Sequence, residues 1–386
     1  MSILEQAEAL NDKLIEYRRC LHRHPEPSYH EENTSAFVAE KVRGLGFEVR
    51  EKQGGWGVIA ELPVKGAEGT VLLRADMDSL PIQEDSGLPF SSKVPGQAHL
   101  CGHDGHCTML LGAAEILASS VSSLKRNVRV VFQSAEEVPP GGAIELIESG
   151  ALDGVTEAYA LHVDPKMPTG TFGSRAGPML AAVNEFRIKV IGKGGHAAYP
   201  HLAADPIVVA AEIITRLQTI VSRRLPPTES GVVSVCQIEG GTAFNVIPDE
   251  VLLVGTTRFF SQEYVSLARR WIEEIAKGCS EPSGCRALLD FLEGYPALAN
   301  HPNAVDLVRQ RISALWSEDC YFEADQTSGG EDFARFLEHV PGAMVWIGIR
   351  NSEIGSTHFL HSPHFRLDED CLWRGAALLA SLALPA

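Results

Sequence analysis

Val128-Arg129-Val130-Val131-Phe132-Gln133-Ser134-Ala135-Glu136-Glu137 is a β-branched, apolar run that ends in two adjacent carboxylates. A short run of this kind predicts a buried strand rather than a helix. The same layout recurs on both sides of it. Val71 to Arg74 leads into Asp76 and Asp78, and Ala158 to Leu161 leads into His162. Helical spacing fills the intervals: Leu4 to Arg23, stopped at His24-Pro25, then Glu31 to Arg43, ended at Gly44, then the stretch after Cys107. With Val58 to Leu62 as a further strand, the alternation predicts a layered α/β domain. In such sheets ligands gather beyond the carboxyl ends of the strands.

Between these runs lies Cys101-Gly102-His103-Asp104-Gly105-His106, directly before the apolar Met109-Leu110-Leu111-Gly112-Ala113-Ala114. Read with Glu136-Glu137, His162 and His361, it predicts a metal site assembled from distant segments. Thiolate, imidazole and carboxylate together suit zinc, cobalt, nickel or manganese better than calcium or magnesium.

At 386 residues the chain is long for one core, so two domains are expected. The net charge of −17 argues against nucleic acid and anionic membrane surfaces, which select basic patches. The start, Met1-Ser2-Ile3-Leu4-Glu5-Gln6, has no basic and apolar leader, and no apolar run is long enough to span a bilayer. The eight cysteines have no disulfide cadence, so a reducing cytoplasm is expected.

Near Asn184 the rhythm changes. Strand Phe186 to Ile191, helix Pro206 to Arg223, strands Val232 to Ile238 and Val251 to Phe259, helix Gln262 to Lys277 and strand Arg286 to Leu292 make a ferredoxin-like β-α-β-β-α-β unit. Then the earlier pattern returns, with helix Ala304 to Leu315, the acidic Gly330-Glu331-Asp332, strand Met344 to Ile349 and helix Asp370 to Leu382. The expectation is a discontinuous catalytic domain, 1–183 and 296–386, with an inserted lid and dimerisation domain at 184–295. Linker-like breaks fall at Gly177-Pro178 and Gly294 to Pro296.

The chain resembles the di-metal aminoacylase and carboxypeptidase family, in its branch of hippurate and indole-acetyl-amino-acid hydrolases. The matching stretches run through the chain in order: His24-Pro25-Glu26, Arg74-Ala75-Asp76-Met77-Asp78-Ser79-Leu80-Pro81, His99 to His106, Phe132 to Glu137 and Leu161-His162-Val163. They continue with Gly194-Gly195-His196-Ala197-Ala198-Tyr199-Pro200, Asn245-Val246-Ile247-Pro248, Gly330-Glu331-Asp332-Phe333 and Leu360-His361-Ser362-Pro363. The resemblance implies that Cys101, His103, Glu137, His162 and His361 hold two divalent cations and that Glu136 is the general base. It implies that His196 completes a partner subunit's site at the oxyanion, and that Asn245 and Arg258 bind the substrate carboxylate. Asp78 is expected to orient a ligand imidazole, Asp76 is left between ligand and support, and Asp104 and His106 support the start of the following helix. His24 and His99 have no assigned role. Leu100, Ser134 and Val138-Pro139-Pro140 depart from the branch's alanine, proline and glycine-rich run, which bears on substrate preference.

The expected function is metal-dependent hydrolysis of an N-acyl or N-aroyl amino acid by a homodimer joined through the inserted domain. The alternatives are the same site acting on a short dipeptide or aromatic amine, or a non-catalytic binding protein, which would be expected to lack Glu136 or a ligand.

Overall fold

The structure, a computed structural model, describes residues 1–385. It divides into two compact units, one of Met1–Met179, Ala299–Asp325 and Asp332 onward, the other of Leu180–Leu298 and Gln326–Glu331.

The first unit is built on an eight-stranded sheet. Its spatial order is Glu48–Gln53, Gly57–Leu62, Asn127–Gln133, Thr70–Asp76, Val155–Pro168, Gly342–Arg350, Phe172–Ser174, Tyr321–Glu323. The four central strands run parallel, and Gly57–Leu62 joins them antiparallel. Thr70–Asp76 is buried at every position, which is why its sequence is a continuous run and not an alternation. Helices His103–Ser119 and Cys371–Ala383 pack on the central strands and on each other. Glycine permits that close crossing: a Cβ on Gly375 would lie 2.0 Å from Met109 Sδ, and one on Gly112 would lie 2.8 Å from Ala376 Cβ.

Several elements differ from the sequence expectation. The first helical stretch is two helices, Ile3–Ala9 and Asn11–Arg23, because the Leu10 N–H turns tightly back to Ala7 O. The helix expected after Cys107 begins at His103, where Gly102 in the left-handed region (φ +89°) turns the chain and its carbonyl accepts from Gly105 and His106. Asp104 and His106 therefore lie inside the helix's first turn. His162 does not end a strand. Thr70–Asp76 stops pairing at Arg74↔Ala160, but the partner strand Gly342–Arg350 continues past Trp346↔His162 to Pro168.

The second unit has a four-stranded antiparallel sheet, ordered Gly231–Glu239, Glu250–Phe259, Ala182–Ile191, Arg286–Glu293. Helices Pro206–Thr219 and Gln262–Ser280 cover one face, with Phe186, Ile188, Val190, Ile213 and Ile272 in the core between. The alternating burial along Ala182–Ile191 is that of a sheet with one covered face. Gly195–His196 and Val246–Ile247 form a separate two-stranded ribbon.

Candidate metal centre

The site lies at the carboxyl ends of the central strands of the first unit and on the loops that follow. Three segments supply its core. The first is Asp76-Met77-Asp78, whose two carboxylates are fully or almost fully buried. Asp78 Oδ1 lies 3.2 Å from His103 Nδ1, while its Oδ2 accepts from Ser28 Oγ at 2.6 Å and from the Glu137 N–H at 2.9 Å. Burial opposes its ionisation, but these bonds hold the Asp78 pKa below the ordinary carboxylate value. Asp78 thus contacts the His103 imidazole and the Glu137 backbone at once.

The second segment is the turn into the helix His103–Ser119. A Cβ on Gly102 would lie 2.5 Å from Val163 Cγ2, so only glycine brings Cys101 and His103 this close to the strand Val155–Pro168. Cys101 Sγ sits 3.5 Å from His162 Nε2. The His162 Nδ1 faces its neighbour's carbonyl, Val163 O, at 2.8 Å. A carbonyl only accepts, so Nδ1 carries the proton and Nε2 presents its lone pair beside the thiol.

The third segment is Ser134 to Glu137, and here the sequence missed a residue. Glu31 is fully buried and accepts from the Ala135 N–H at 2.7 Å and from Ser134 Oγ at 2.5 Å. Ala135 is held at φ +55°, a region costly for a residue with a Cβ. The Glu31 clamp stabilises that turn, which aims Glu136 and Glu137 inward. Burial pushes the Glu31 pKa up to about 7. The departure Ser134 is the side chain that completes this clamp.

His361 reaches the same place from a distant loop. It too has a left-handed backbone (φ +64°), pinned by its N–H to Leu100 O at 2.8 Å, and its Nε2 lies 3.4 Å from Glu137 Oε1. His103 Nε2 lies 3.8 Å from Glu137 Oε1 and 4.0 Å from Glu136 Oε2.

These donors fit divalent cations. His103 Nε2 and Glu137 Oε1 are buried without a hydrogen-bond partner, which is costly for polar atoms unless something charged lies between them. Burial alone would lower the His103 pKa, yet Asp76, Asp78 and Glu137 raise it to about 10, so the position demands positive charge. Burial and the Glu137 and Glu136 carboxylates push the Cys101 thiol well up, so a thiolate there requires a cation. Cys101, His103 and His162 form one set of mutually close donors, and Cys101, Glu137 and His361 form another. His106 does not join them, because its ring nitrogens are taken by Asp76 Oδ1 at 2.6 Å and the Val163 N–H at 3.0 Å. Asp76 in turn is held by His106 and Arg74. His99 is buried with neither ring nitrogen partnered, and His24 bonds Cys20 O at the surface.

The remaining expected residues lie in the second unit. His196 lies opposite Val246 on the two-stranded ribbon, the next residue's N–H, Ala197, donates to Asn245 O at 3.1 Å, and His196 and Asn245 are both exposed. Arg258, half-buried on Glu250–Phe259, donates to Thr257 O and Ser328 O.

Comparison with known proteins agrees with this geometry. The N-acetylcysteine deacetylase of Bacillus subtilis is 36% identical over 378 residues, 98% of this chain and 97% of that protein. The IAA-amino acid hydrolase ILR1-like 4 of Arabidopsis thaliana is 38% identical over 376 residues, 96% of this chain and 85% of that protein. A longer Rhodococcus jostii relative is also 38% identical, and there the chain spans 48% of its length. Among solved structures, the Bacillus subtilis YXEP protein, described as a dinuclear metal binding peptidase, superposes with a TM-score of 0.87 at 34% identity, covering 97% of this chain and 98% of that one. Residues 72–384 match the model of peptidase family M20/M25/M40, and it is to this family that the chain belongs.

Proposed function

We propose that this protein is a metal-dependent amidohydrolase that cleaves an N-acyl or N-aroyl amino acid into a carboxylic acid and a free amino acid. Cys101, His103, Glu137, His162 and His361 would hold two divalent cations. The observation that carries the reading is the pair of buried ligand atoms without a hydrogen bond, His103 Nε2 and Glu137 Oε1, facing each other next to the Glu136 carboxylate. When bound, the cations supply Lewis acidity to the scissile carbonyl and to water. Glu136, aimed inward by the Ala135 turn, takes the proton of the attacking water. It returns that proton to the amine nitrogen as the C–N bond breaks. The deacetylase and amino acid hydrolase names of the relatives support an N-acyl amino acid as substrate.

Asn245 and Arg258 are proposed to bind the substrate carboxylate, Arg258 by a bidentate pair. His196 is proposed to stabilise the oxyanion in the site of a second copy. Support for a homodimer comes from the second unit's own surface. Phe244 is wholly exposed on the ribbon loop, Val246 and Tyr199 are about half exposed, and among the described residues both outer strands of the sheet pair on one side only. Among the described residues no helix is long and apolar enough to cross a membrane. All eight cysteines are free, which supports a reducing compartment.

The test is turnover of a panel of N-acyl and N-aroyl amino acids by chelator-stripped protein, with and without added Zn2+, Mn2+, Co2+ or Ni2+. Hydrolysis confined to the reconstituted protein is expected. Hydrolysis indifferent to chelation, or none across the panel, would overturn the reading.

A further inference from the structure

A chain of buried hydrogen bonds runs behind His162. It starts at Asp332, whose Oδ1 accepts from Arg74 Nη2 at 2.9 Å. Arg74 Nη1 donates to Asp76 Oδ2 at 2.8 Å, and Asp76 Oδ1 lies 2.6 Å from His106 Nδ1. The His106 Nε2 receives the Val163 N–H at 3.0 Å. A backbone N–H only donates, so the ring proton of His106 sits on Nδ1, toward Asp76. The Val163 carbonyl takes the next proton, from His162 Nδ1 at 2.8 Å, which leaves Nε2 bare beside Cys101 Sγ. The two imidazoles thus share Val163: His106 accepts its N–H and His162 donates to its carbonyl, so the Val163 backbone links the buried chain to His162.

The sheet explains why a side chain is needed there. Thr70–Asp76 stops pairing with Val155–Pro168 at Arg74↔Ala160, so the Val163 N–H lies beyond that ladder and a helix histidine takes it. Asp332 is itself clamped, by Gln133 Nε2 at 2.7 and 2.6 Å and by the Ala143 N–H at 3.1 Å. Gly141 makes the room, since a Cβ on it would lie 2.2 Å from Asp332 Oδ2. Arg74, Asp76, His106 and Asp332 are each no more than 2% exposed. Buried ion pairs add little stability over apolar packing, so a row of them ending on a donor imidazole is better explained by orientation.

We propose that Asp332, Arg74 and Asp76 are positioning residues that act through His106, which holds the Val163 backbone in the place where its carbonyl orients His162 and leaves Nε2 for a cation. The proposal rests on reading His162 as a ligand.

The test is a Co2+ titration of the chelator-stripped full chain, followed by its visible absorption, with thermal unfolding of the same samples. Asp332→Asn and Arg74→Lys are expected to weaken Co2+ binding by about 10–100-fold and to alter the spectrum. Val190→Ala, a core change in the other unit, is expected to lower the unfolding temperature and leave the spectrum alone. Should Asp332→Asn fail to fold, His106→Phe breaks the chain at its last side chain without stranding a buried cation, and the same loss is expected. Folded variants with the wild-type spectrum and a dissociation constant within twofold, while His162→Ala loses both, would overturn the proposal. Wild-type Co2+ binding by His162→Ala itself would overturn the ligand reading and the proposal with it.

Discussion

His103 Nδ1 faces Asp78 twice, at 2.9 Å from its backbone oxygen and 3.2 Å from its Oδ1. The other carboxylate oxygen of Asp78 receives the Glu137 N–H at 2.9 Å, so one side chain ties together the two segments that carry the candidate ligands His103 and Glu137. Asp78→Ala is expected to weaken metal affinity by about 10–100-fold while the protein stays folded. Competition against a chelator of known affinity measures this. An unchanged affinity would mean that His103 is oriented by something else.

Gly102 combines a left-handed backbone with close contact to Val163, whereas Gly46 has a similar φ of +90° and nothing within 4 Å of where a Cβ would sit. Gly46→Ala should cost only the backbone strain, about 1–2 kcal/mol. Gly102→Ala should add an overpacking cost of about 1–3 kcal/mol and lose bound metal as well. Urea unfolding and elemental analysis of both variants check this. Equal stability losses would show that the Val163 contact relaxes freely.

A second buried network lies behind the helix His103–Ser119. Its His22 bridges Asp104 Oδ2 at 2.9 Å and Glu84 Oε1 at 3.1 Å, with Arg18 on the same Asp104 oxygen at 2.8 Å. Burial would raise the Glu84 pKa, but His22, Ser86 and the Ser92 N–H outweigh it and hold it at about 2, against 4.5 for the free side chain. A depressed carboxylate contributes stability that is present above the unfolded pKa and lost as pH falls through the folded one. Stability should therefore drop between about pH 4.5 and pH 2. In Glu84→Gln that part of the drop should be missing and the neutral-pH stability lower. Urea midpoints across this range decide it, and parallel curves for the two proteins would contradict it.

The proposed sharing of His196 has its own signature. Glu136→Gln and His196→Ala chains are each expected to be inactive alone. Mixed and allowed to exchange subunits, they should regain activity, because one site of the mixed dimer keeps both residues. Demonstrated heterodimers with no recovery would place His196 in its own chain's site, or outside catalysis.

The sheet of the first unit was largely legible because its central strands are buried on both faces and carry consecutive apolar residues, Val71-Leu72-Leu73 and Val130-Val131-Phe132, in place of an alternation. Asp78, Cys101, His103, Glu137, His162 and His361 were legible as candidates from residue type and motif, and the structure brings all six to one region. What could not be read was long-range. Glu31 is the first of two adjacent glutamates, Glu31-Glu32, at a helix start in sequence, and only the fold shows that it clamps Ala135 across 104 positions. Asp332 sat in a noticed motif without a role, because its partner Arg74 is 258 residues away. The extension of Val155–Pro168 past His162 was missed because the apolar run ends at Leu161 and Val163, and pairing with Gly342–Arg350 rather than composition carries the strand on.

The assignment of Glu136 as the proton-transferring group of a metal-dependent hydrolase is tested most directly by Glu136→Gln. The measurement is kcat on the best N-acyl amino acid substrate, with metal content determined on the same preparation. The expected result is wild-type metal content with kcat reduced by roughly a hundred- to ten-thousand-fold. Wild-type metal content with most of the kcat retained would contradict it.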